Sequence, residues 1–161
     1  MESSRFFIST IENQFSRLCH MWRDEIKNIP DDEWRKSDID YMIPARHFCH
    51  VMVSADFYTN EYSVEDFDWN ALCGGDWESI PNEQLPAKHE AIQILNDIQS
   101  LVESRLQKLN DDDLQEKEKI APWAGDSVIE KMIYWLRHFQ HHLGEVHAEL
   151  RRRDIPRAKW K

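Results

Sequence analysis

The chain has 161 residues, of which 41% are hydrophobic and 31% charged, and a formal net charge of −10 at pH 7. That length suits one domain, residues 1–161, with a core of its own, and so acidic a surface repels phosphate backbones, which argues against nucleic acid as a general partner. With 4 glycines and no run of alternating β-branched residues, the composition favours helix over sheet.

The first nine residues carry Glu2 and Arg5 and no apolar run, so no secretory leader is expected. A first helix is predicted over Arg5 to Lys27, where Phe6, Ile8, Ile11, Phe15, Leu18, Met21 and Trp22 recur at helical spacing. Ile29-Pro30 ends it, because proline disfavours helix at the residue before it. The linker that follows is long for a simple helical hairpin. Pro44 then suits a first helical turn, and a second helix is predicted from Ile43 to Tyr62.

Residues 63–85 read as irregular, punctuated by Gly74-Gly75 and Pro81, with a short helix over Val64 to Leu72. Phe67, Trp69 and Trp77 in this stretch can cap a bundle or wall a pocket. A third helix opens near Pro86 and runs to Leu109 on the stripe Ile92, Leu95, Ile98, Leu101, Val102 and Leu106. Asn110 to Asp113 lacks the alternating oxygens and glycine of an EF-hand loop and reads as a solvated turn.

Asp126 or Ser127 is placed to cap a fourth helix over Val128 to Arg153, whose buried stripe is Ile129, Met132, Leu136, Phe139, Leu143, Val146 and Leu150. Four long helices without strands predict an all-α fold, a four-helix bundle with long connections. The cations from Arg151 to Lys161 complement the end of that last helix and solvate the tail. No apolar stretch approaches the ~20 residues needed to span a bilayer, so no membrane partner is expected. Cys19, Cys49 and Cys73 are odd in number and lack CxxC spacing, which fits reduced thiols in the cytoplasm.

Half of the 8 histidines fall between His138 and His147. Successive helical residues turn by about 100°, so His138 and His142 stack on one line at the edge of the buried stripe, with Glu145 a further turn along. His141 points to water and His147 to the far margin of the apolar face. Two imidazoles at i and i+4 can converge on one cation, although that spacing also arises by chance. The second helix offers His47 and His50, and a bundle builds metal sites from side chains on facing helices. One of these with His138 and His142 makes three neutral nitrogen donors and leaves coordination positions open.

The segment His138-x-x-His141-His142-x-Gly144-Glu145, followed by Leu150-Arg151-Arg152-Arg153-Asp154, resembles the C-terminal signature of the DinB-like superfamily. His50 to Tyr58 is similar to that family's first-ligand region, and Leu106 to Leu114 to the close of its third helix. The family includes DNA-damage-inducible proteins, metal-dependent hydrolases and thiol-dependent transferases. The resemblance implies a four-helix bundle, often a homodimer, with zinc or nickel on three histidines. Matched residue by residue these are His50, His138 and His142, with His47 the weaker candidate for the first position. Glu145 stands where the family commonly has glutamine.

Hydrolysis and thiol transfer both follow from an open divalent ion, with a small molecule or thiol as substrate. No catalytic residue is assigned; Glu145 and Asp56 are the candidates for handling protons. The alternative is a non-catalytic, stress-related helical dimer working through association. Trp22, Trp34, Trp123 and Trp135 would suit its interface, or equally the packing of a core.

Overall fold

Apolar residues at helical spacing fold into four α-helices in the computed structural model, which describes residues 4–161. They are α1 (Phe6–Asn28), α2 (Pro44–Thr59), α3 (Lys88–Leu106) and α4 (Val128–Arg152). Residues 1–3, part of the stretch read above for a leader, lie outside the described residues. Among those described, the one sheet-like pairing outside the helices is a single bridge between Lys117 and Ser127. The short helix expected over Val64 to Leu72 does not form. That stretch is a series of turns, because the serine and aspartates at 63, 66 and 68 bond locally to backbone and to one another instead of letting a ladder propagate.

Helix α1 packs against α3 and α4, and so does α2. The order around the bundle is therefore α1, α3, α2, α4, with α1 facing α2 across it. This explains the long connections over 29–43 and 107–127: each crosses between opposite corners rather than closing a hairpin. Trp34, on the first connection, is buried with its indole N–H donating to the Pro86 carbonyl at 2.8 Å.

The bundle is filled by rings. Phe15 meets Trp135 at 4.9 Å between centroids, and Phe48 lies 5.9 Å from both Trp22 and Trp34. Trp22, Trp34 and Trp135 are thus core residues, not interface residues, whereas Trp123 is half exposed. Trp135 takes the centre of the α4 stripe, and Ile129 and Leu136 lie at its margins.

The turn at Asn110 to Asp113 is not simply solvated. Asp111 is buried, and its carboxylate accepts the free N–H groups of Phe6, Phe7 and Ile8 at 2.8, 3.0 and 3.1 Å, capping α1 from more than a hundred residues away. Burial alone would push this carboxyl up. The Ser4 hydroxyl and the three amides more than offset that and hold it below the usual carboxylate range. Asp111→Ala should lower the thermal midpoint by roughly 2–6 °C, with Asp111→Asn recovering part. An unchanged midpoint would mean that the helix end is satisfied some other way.

At the start of α4, Glu130 Oε2 accepts the N–H groups of Asp126 and Ser127 at 2.8 and 2.9 Å. A side chain at Gly125 would collide with Glu130 and would also need the unfavourable φ of +145°, so glycine is required there. The C-terminal cations are only partly solvated. Arg152 pairs with Asp38 and Glu149, Arg153 with Glu33, and Lys161 with Asp24 at 3.2 Å, which folds the tail back over the bundle.

Candidate metal centre

Helices α2 and α4 are direct neighbours, so their histidines meet. Nε2 of His138 lies 3.0 Å from Nε2 of His50 and 3.1 Å from Nε2 of His142. The i, i+4 spacing on α4 supplies one pair, and the facing turn of α2 brings the third ring. These three side chains form a group able to hold a metal ion. His47, one turn earlier on α2, does not join it. Its Nδ1 lies 3.1 Å from the other ring nitrogen of His142, making a neighbouring group with Glu145.

Burial is the largest influence on all four rings and pushes each imidazole below its ordinary value, since charging a ring there means losing water. Mutual repulsion adds to this, and His50 and His142 fall to about 3. At neutral pH they are therefore uncharged nitrogen donors that need lose no proton from a cationic form before coordinating.

The donor set fits a divalent ion. Three Nε2 atoms crowd into one small volume, and lone pairs facing each other at about 3 Å repel unless a proton or a cation lies between them. One proton cannot serve every contact at once, whereas an ion with bonds of about 2.0–2.1 Å can.

Arg46 shapes the walls. Its guanidinium is buried next to His47 in sequence and donates to the carbonyls of Trp77, Glu78 and Ile80 and to Oδ1 of Asn82, the last at 2.7 Å. The segment so pinned carries Trp77 onto the His50 ring, 4.2 Å between centroids. Trp77 thus walls the site, while Phe67 and Trp69 pack with Phe57. On the other flank Tyr134 lies parallel to the His138 ring at 6.1 Å, and Tyr58 approaches its edge at 6.2 Å. Sequence reasoning missed Arg46 and Tyr134. An arginine on a helix face that later proves buried carries no periodic signal, and Tyr134 sits outside the apolar stripe.

The remaining candidates separate. Glu145 Oε2 comes to 2.7 Å from Nδ1 of His142. Asp56 is tied to Arg105 at 2.7 Å, a pairing away from the imidazoles. His141 is exposed, with Nε2 at 3.4 Å from Glu145, and His147 faces the buried Glu25 at 3.3 Å.

The family model described as the DinB superfamily matches residues 14–146, a span that runs from α1 to near the end of α4. No curated protein matches the chain. Among the described residues no helix is long and apolar enough to cross a membrane.

Proposed function

Because the chain belongs to the DinB superfamily, we propose that it is a metal-dependent enzyme, a hydrolase or thiol-dependent transferase, with zinc or nickel on His50, His138 and His142. The observation that carries this reading is the meeting of three uncharged ring nitrogens from two helices, with His138 Nε2 within 3.0 and 3.1 Å of the other two. Three neutral ligands leave the full charge of an ion uncompensated, and when bound it would polarise a carbonyl or lower the pKa of a thiol.

The chain's own contributions are orientation and exclusion of water. Trp77, held by Arg46, covers one ligand ring, and Tyr134 covers another. The substrate is a small molecule or a thiol conjugate approaching the open side. Free, buried cysteines fit a reducing compartment such as the cytoplasm. Assembly as a homodimer enters this reading through the family resemblance.

Elemental analysis of the purified protein beside a His138→Ala/His142→Ala variant tests the site. One or more equivalents in the first and none in the second is the expected result, and equal metal content in both would remove the reading. Ester, amide and thiol-adduct substrates supplied to the metal-loaded protein then test turnover, with uniform inactivity pointing to a binding module.

A further inference from the structure

His142 turns only one of its ring nitrogens toward His138 and His50. The other, Nδ1, belongs to a second trio. It lies 3.1 Å from Nδ1 of His47 and 2.7 Å from Oε2 of Glu145, and the same carboxylate oxygen lies 3.6 Å from His47 Nδ1. His47 is only 7% exposed. Glu145 Oε2 is sealed from solvent and has no hydrogen-bond partner, although two imidazoles flank it.

A shared proton between the two Nδ1 atoms would satisfy that contact and still leave Oε2 bare, a cost for an anionic oxygen sealed from water even on a side chain that is partly exposed. A cation between them satisfies all three. The circle through these atoms has a radius of about 1.9 Å, so an ion with ordinary bonds of about 2.0–2.2 Å reaches each of them from just outside their plane. Glu145 also brings the negative charge that the three-imidazole group lacks.

We propose that His47, Glu145 and Nδ1 of His142 form a second divalent-cation site, so that the loaded chain holds two ions bridged by the His142 ring. The inference rests on the preceding reading where it makes His142 a shared ligand. With both sites filled, the ring binds through both nitrogens. Its remaining N–H bond breaks as the second metal–nitrogen bond forms, and the proton leaves to solvent with no change in oxidation state.

Equilibrium dialysis of the full chain against zinc(II), read by elemental analysis, counts the ions. The wild type should saturate at two per chain, His47→Ala and Glu145→Gln at one, His50→Ala at one and His142→Ala at none, with circular dichroism confirming that each variant is folded. Copper(II) gives a second readout. Two copper ions across one imidazolate couple antiferromagnetically, so the doubly loaded wild type should show strongly reduced electron paramagnetic resonance intensity, restored in His47→Ala. Saturation at one ion in the wild type, unchanged in His47→Ala, overturns the second site and leaves the first intact. An ion lost in His47→Ala but not in His50→Ala or His138→Ala overturns the first and leaves the second. A wild type that takes up none overturns both.

Discussion

Adding zinc or nickel at a hundred times its dissociation constant is expected to raise the thermal midpoint of the metal-free protein by about 5–11 °C. The native state holds its imidazoles together, whereas in the unfolded chain His50 and His138 are 88 positions apart and bind an ion only singly and weakly. At that concentration, preferential binding to the native state contributes about 2.7 kcal/mol. His142→Ala should abolish most of the shift, because its ring serves both groups and each then keeps only two donors. Differential scanning calorimetry with and without a chelator reads both outcomes. A midpoint indifferent to metal in the wild type would mean that the imidazoles meet without holding an ion.

Glu118→Ala should have a comparable or larger effect in the opposite direction, a loss of about 3–5 kcal/mol. Glu118 and Lys131 are both buried and meet at 2.7 Å, and the other oxygen of Glu118 accepts the N–H groups of Ile120 and Ala121 at 2.6 and 2.8 Å. Removing the carboxylate strands an ammonium inside the bundle and releases the connection that leads into α4, about three turns before His138. The penalty belongs to the stranded charge, so Glu118→Ala/Lys131→Met should recover much of it. Urea denaturation of the three proteins tests this, and a double variant no better than the single one would refute the account.

The same pair has an acid limb. Burial pushes the Glu118 carboxyl up, but Lys131 and the two amides outweigh it and hold it below its ordinary value of 4.5. A carboxyl depressed on folding contributes stability that is full above about 4.5 and is lost as pH falls through the lower folded value. The wild type should therefore lose stability faster than Glu118→Ala on acidification below that point.

The fold was legible because the helices announce themselves locally. Ile11, Phe15, Leu18 and Trp22 repeat with the helical period, and Pro44 and Ser127 sit at helix starts. The stacking of His138 and His142 was equally local, a consequence of 3.6 residues per turn. The distant cap was not legible. Asp111 looks like any turn aspartate until the connection carries it to the N-terminus of α1. Arg46 was silent for the same reason, since its partners are backbone carbonyls more than thirty positions away and a carbonyl has no identity in a sequence.

What the sequence determined by itself was periodic or contiguous: an all-helical chain, its approximate helix limits, an acidic surface and one pair of stacked imidazoles. Which histidine of α2 would meet that pair depended on how α2 lies against α4, a matter of angle and register set by the packing of Trp22, Trp34, Phe48 and Trp135. His47 and His50 are separated by less than one helical turn, so a small rotation of α2 would exchange their partners. Spacing along a chain carries no record of that rotation; only the assembled core decides that His50 faces His138 while His47 faces the far nitrogen of His142.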